Sequence, residues 1–166
     1  SFNSSQTVWG DTMQISNCSR ITLQGLRFES IRTTNIGDFS ASLMPNAFQT
    51  NWAALRYMNT EHLLIEGCEF VNHHNHGLLD GESATIPPST NDIVIRNNEF
   101  RNIGSYFPIP ASWDGSAIVP SGGLVENNRI YDCGSCIEPY SWQDTNLIVI
   151  IRGNYIENPI INGIQD

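Results

Sequence analysis

The side chains of this chain best suited to proton or metal chemistry are a histidine cluster and a scatter of carboxylates. His73, His74 and His76 lie within Asn72-His73-His74-Asn75-His76. In an extended segment His74 and His76 share one face, while His73 points away. Two such imidazoles could hold two corners of a zinc site, but no third or fourth ligand stands at a matching spacing. A histidine could instead serve as a general base near neutral pH. The acidic candidates are Asp80, Glu82, Asp114, Glu138 and Asp144. Two of them at the right separation would suit glycoside hydrolysis, in which one carboxyl donates a proton and the other activates water. Asp80 and Glu82, with nearby carbonyls, could also offer oxygen ligands to Ca2+, although no recognised calcium loop surrounds them.

Aromatic side chains gather in the segments between these candidates. Residues 32–52 carry Phe39, Phe48 and Trp52, residues 104–114 carry Tyr106, Phe107 and Trp113, and Tyr140 and Trp142 lie further on. Tyr106, Trp113, Tyr140 and Trp142 could stack sugar rings; the alternative is that they cover the flank of the core.

What positions these segments is a repeat. Leu23–Ser30, Ile65–Asn72, Ile95–Asn102, Val125–Asp132 and Ile151–Asn158 share one frame: aliphatic, polar, Gly or Asn, any, polar, Phe or Ile, any, Asn, Asp or Ser. The sixth-position anchors Phe28, Phe70, Phe100, Ile130 and Ile156 are 42, 30, 30 and 26 residues apart. A constant frame with uneven spacing means constant core strands and variable loops, the mark of a solenoid. The Gly/Asn position accepts positive φ and predicts a tight corner between two short strands. The outward second position reads Gln24, Glu66, Arg96, Glu126, Arg152. With coils in register, the last four alternate in charge, which favours cross-strand pairing. The eighth position, Ser30, Asn72, Asn102, Asp132 and Asn158, predicts a polar ladder at the next corner.

A third strand per coil is predicted at Gly77–Asp80, Ala117–Val119, Cys136–Glu138 and Gly163–Gln165, with Ala54–Arg56 leading the second coil. Three short strands per turn, an internal Phe/Ile stack and an Asn ladder resemble the single-stranded right-handed parallel β-helix of the pectate-lyase-like superfamily. The resemblance covers residues 12 to 166 and implies an all-β solenoid of about five coils. It is specific for fold and silent on activity, since that superfamily hosts lyases, hydrolases, epimerases, tail spikes and adhesins. Several of its lyases use a Lys or Arg base. The chain has no lysine, so Arg56, beside Asp80 in this alignment, is the candidate base. The sequence motifs of polygalacturonases and mannuronan epimerases are absent. Asp80 and Glu138 fall two coils apart, ~10 Å along the stack. Asp114, which precedes the intervening strand, is the other candidate partner. With His74, His76 and Arg56 these acids make up the candidate catalytic set.

Composition narrows the partners. The net charge is −9, and all eight basic residues are arginine. No basic stripe exists to neutralise phosphates, which disfavours nucleic acid. No apolar run is long enough to span a membrane. The acidic balance, the Ser, Thr and Asn content, and the glycosylation patterns Asn3-Ser4-Ser5 and Asn17-Cys18-Ser19 suit an extracellular or cell-surface protein. In that setting Cys18, Cys68, Cys133 and Cys136 would permit two disulfides, with Cys133-Gly-Ser-Cys136 able to close a small loop. Residues 1–166 read as one domain whose terminal coils lack caps, as in a segment of a longer or end-to-end stacked protein. Two functions follow as expectations. One is a carbohydrate-associated protein that binds or cleaves a polysaccharide along a loop-lined groove, as hydrolase or lyase. The other is a structural or adhesive module that stacks coil on coil in a fibre, tail spike or surface protein.

Overall fold

The computed structural model describes residues 13–29, 53–73, 76–81, 89, 92–104, 115–139 and 147–164. Among these residues the secondary structure is all strand. The strands are β1 (Met13–Ser16), β2 (Ser19–Gln24), β3 (Arg27–Glu29), β4 (Ala53–Met58), β5 (Glu61–Glu66), β6 (Glu69–Val71), β7 (His76–Asp80) and β8 (Val94–Arg96). They continue as β9 (Glu99–Arg101), β10 (Ser116–Val119), β11 (Gly123–Glu126), β12 (Arg129–Tyr131), β13 (Ser135–Ile137), β14 (Val149–Arg152), β15 (Tyr155–Glu157) and β16 (Asn162–Ile164). Every third strand pairs in parallel, giving three sheets: A (β1-β4-β7-β10-β13-β16), B (β2-β5-β8-β11-β14) and C (β3-β6-β9-β12-β15). This is the expected parallel β-helix.

The register follows from the repeat. Phe28, Phe70, Phe100, Ile130 and Ile156 are consecutive partners in sheet C. The phenylalanine rings stack at 4.9 and 4.8 Å, nearly coplanar in orientation, so one coil spacing sets both backbone and ring contacts. Leu23, Ile65, Ile95, Val125 and Ile151 form the matching inward column of sheet B. The corner between sheets B and C is two residues long in each coil. Its first residue has positive φ: Gly25, Gly67, Asn97, Asn127 and Gly153. Only Gly and Asn adopt that conformation cheaply, which explains the frame's third position.

Inside that corner runs a ladder that the frame left unspecified. Asn98 Nδ2 donates to Ile65 O (3.0 Å) and to Asn128 Oδ1 (3.0 Å), while Asn98 Oδ1 accepts from Cys68 N–H (2.9 Å). Asn128 repeats the pattern with Ile95 O and Asn154 Oδ1. Each amide thus satisfies corner backbone in the coil before it. The expected outer ladder is also present, with Asn102 donating to Asn72 (3.1 Å) and Asn158 to Asp132 (3.2 Å).

Sheet A departs from simple alternation. Ala54, Ala117 and Cys136 are buried in the same core as their neighbours Leu55, Ile118 and Ile137. A Cβ on Gly77 would lie 2.9 Å from the Phe100 ring. Two consecutive residues therefore face inward, and one must be small. Beyond this bend Leu79 and Val119, with Ala53 before it, form a separate buried cluster on the outer side.

Candidate functional site

Sheet A holds the candidate residues that the structure describes, and the long segments of the chain connect to its strands. Residues 30–52 lead into β4, 82–91 leave β7, 105–114 lead into β10 and 140–146 leave β13. Long connections therefore all adjoin sheet A, whereas sheets B and C meet at two-residue corners. His74, Glu82, Tyr106, Trp113, Asp114, Tyr140, Trp142 and Asp144 fall outside the described residues. Arg56, His76, Asp80 and Glu138 fall within them.

Three of those four share the outer side. Register aligns Arg56 with Leu79, and Leu79 with Val119. The Glu138 N–H donates to Ile118 O (2.9 Å), placing Glu138 on the next coil of the same column. His76 opens β7 one row away, beside Ser116 on the following coil. The Ser116 N–H donates to His76 Nδ1 (3.2 Å), and the Ser116 hydroxyl donates to Glu138 Oε2 (2.5 Å). Ser116 thus ties the imidazole to the carboxylate across two coils. It is fully buried, while Arg56, His76 and Glu138 keep partial exposure. Sequence reasoning missed Ser116 because nothing marks a serine at a strand start as functional.

The environment fixes the state of His76. Accepting from a backbone N–H leaves Nδ1 unprotonated, so the neutral ring carries its proton on Nε2. Burial, reinforced by the Arg56 charge, lowers its pKa to about 4. The ring is therefore a neutral hydrogen-bonding group through the physiological range.

Asp80 corrects the expected acid pair. It aligns with Tyr57, on the opposite side of the strand from Leu79, and is 3% exposed. Its carboxylate accepts from the Ser89 hydroxyl (3.0 Å) and from the Ser89 N–H at 3.3 and 3.4 Å. Ser121 lies close enough to favour the ionised form, although its hydroxyl makes no well-formed hydrogen bond. Burial outweighs these donors and pushes the Asp80 pKa up to about 7. Asp80 and Glu138 therefore lie on opposite sides of sheet A and do not form a catalytic pair. Nor does Arg56 sit opposite Asp80, since Leu79 occupies that register position.

Arg56 is instead seated on Gly81. A Cβ there would come within 2.6 Å of Arg56 Cδ and 2.9 Å of its Cγ. Those atoms belong to a flexible stem, so Gly81→Ala is expected to displace the guanidinium at little cost in stability. We expect a change of under ~1 kcal/mol, which thermal melting checks.

The cysteines take structural roles. All four are free thiols, contrary to the two disulfides that the even count would permit. Cys68, Cys133 and Cys136 are buried, and burial pushes Cys133 up to about 12 and Cys136 up to about 11. Thiols held that far from ionisation are poor nucleophiles. Among the described residues no three His, Cys, Asp or Glu side chains gather to hold a metal ion. No helix among them is long and apolar enough to cross a membrane.

Residues 2–146 match the family described as right handed beta helix region. The chain belongs to that family. No curated protein and no solved structure matches it. Membership accounts for the stacked coils and the three parallel sheets of the β-helix.

Proposed function

We propose that this β-helix binds a polysaccharide laid along the outer face of sheet A, parallel to the solenoid axis. The observation that carries this reading is the strip Arg56, His76, Ser116 and Glu138, supplied by four successive coils. From Arg56 to Glu138 it spans three coil spacings, ~14 Å, which suits an extended oligomer better than one small molecule. The strip offers a cation, a neutral imidazole N–H and a carboxylate, groups able to bond sugar hydroxyls and carboxylates. The adjoining long connections carry Tyr106, Trp113, Tyr140 and Trp142, whose rings could stack sugars. The acidic, lysine-free composition and the Asn17-Cys18-Ser19 pattern support an extracellular setting.

Glu138 is the one catalytic-candidate carboxylate on this face among the described residues, so hydrolysis needs a second acid such as Asp114. Elimination would place Arg56 as the base. The test combines affinity electrophoresis on acidic and neutral polysaccharides with assays for reducing ends and for unsaturated-sugar absorbance. Retardation by at least one polysaccharide, lost in Arg56→Ala, is expected. Reducing ends alone would add a hydrolase, and both products a lyase. No retardation and no product from the folded chain would sink the reading.

A further inference from the structure

The outer face of sheet B carries two rows that the polysaccharide reading does not use. One is aliphatic: Leu64, Val94, Leu124 and Ile150 are consecutive register partners. The first three are half-buried and Ile150 is 52% exposed. Two residues along each strand lies the charged row Glu66, Arg96, Glu126, Arg152. Within the chain, Arg96 pairs with Glu66 and Arg152 with Glu126, each at 2.8 Å.

An alternating row of four charges has a symmetry property. Rotate a second copy about a two-fold axis that runs along the strand direction, midway between β8 and β11. Strand positions are preserved and coil order is reversed. Glu66 then faces Arg152 of the other copy, and Arg96 faces Glu126. Every facing pair has opposite sign. The aliphatic row follows the same operation, setting Leu64 against Ile150 and Val94 against Leu124. A two-fold axis along the stack instead, passing over the charged row so that equal coils face each other, would set Glu on Glu and Arg on Arg.

We propose that sheet B is a self-complementary face through which two copies of this chain associate laterally as an isologous dimer. Complementary charge selects the register, and the aliphatic row supplies the apolar contact. Four coil spacings by five strand residues give roughly 300–400 Å2 per partner. That is about half of a standard interface, so the association is weak, with a dissociation constant on the order of 10⁻⁴ M.

The experiment is short-arm bis-maleimide cross-linking at roughly 0.5 mM protein, in a Cys18→Ser background that removes the exposed thiol. Across the proposed interface Leu64 and Ile150 of the other copy lie ~10 Å apart, whereas Leu64 and its own symmetry mate lie roughly 17 Å apart. The double variant Leu64→Cys/Ile150→Cys is expected to give a dimer band several-fold stronger than either single variant. Adding Leu124→Asp, which sets a carboxylate against Val94 of the other copy, is expected to abolish that band. Circular dichroism confirms the fold of each variant. No dimer band from the folded double variant overturns the proposal, as do bands of equal strength in the singles or a band that survives Leu124→Asp.

Discussion

Replacing Asp80 with Asn is expected to make the protein acid-labile, and replacing His76 with Gln is expected to make it base-labile. The two groups have opposite linkage. Asp80 has an ordinary value of 3.8 and a folded value of about 7. The folded state therefore binds its proton first, and the stability so gained is complete below pH 3.8 and lost as pH rises through 7. His76 has an ordinary value of 6.5 and a folded value of about 4. There the unfolded chain binds the proton first, and stability present above pH 6.5 is lost as pH falls through 4. Each slope is at most about 1.4 kcal/mol per pH unit. Between pH 4 and 6.5 they oppose each other, so these two groups leave the parent nearly flat across that window.

Removing one group exposes the other. Asp80→Asn should lose up to about 3 kcal/mol relative to the parent as pH falls from 6.5 to 4. His76→Gln should gain by a similar or smaller amount over the same range, since partial exposure of the imidazole screens its contribution. Charged neighbours differ between the sites: Arg56 acts on His76, and Asp80 acts on Tyr57, whose phenol is raised well above its ordinary range by burial. Urea denaturation of parent, single and double variants across this range decides the matter. A parent-minus-variant difference that does not change with pH would show that neither group is held as the burial implies.

The fold was legible because its signals are periodic. Phe28, Phe70 and Phe100 announce a stack, and Glu66, Arg96, Glu126 and Arg152 announce a register, before any coordinate is known. The site was less legible for a geometric reason. Alternation along a strand predicts sides correctly only while the period of two is kept. In sheet A the two consecutive inward residues, such as Gly77 and Leu78, shift the count. Pairing Asp80 with Glu138 by coil count alone passed over a one-residue offset, because Glu138 falls in the column of Val119 and Leu79, and Asp80 follows Leu79. A one-residue error moves a side chain through the sheet, from solvent to core. Ser116 was invisible for another reason: its importance lies in joining residues 40 positions before it and 22 after it. The fourth frame position, read as unconstrained from Leu26, Cys68, Asn98, Asn128 and Asn154, holds a polar ladder in which Asn98 and Asn128 are buried.

That ladder supports the largest single effect we expect. Asn128→Ala would leave Asn98 without the oxygen that accepts both its N–H (3.0 Å) and its Nδ2 (3.0 Å). It would also remove the amide that donates to Ile95 O and Asn154 Oδ1. Asn128 is fully buried, and an orphaned buried polar group costs roughly 1–3 kcal/mol. The expected loss is about 4 kcal/mol or more, read as a lower denaturation midpoint or as failure to fold. The adjacent Asn127 provides the control. It is exposed, has φ 54° and contributes only its tolerance of that conformation. Asn127→Ala should cost about 1–2 kcal/mol, and Asn127→Gly less. If Asn127→Ala proved as damaging as Asn128→Ala, backbone conformation rather than the buried amides would hold the corners. If both were mild, side-chain stacking along Phe28, Phe70, Phe100, Ile130 and Ile156 would carry the solenoid by itself. The hydrogen-bond geometry argues for neither, because Asn98 and Asn128 each bond to the coil before and to the coil after, so that removing one injures both neighbours at once.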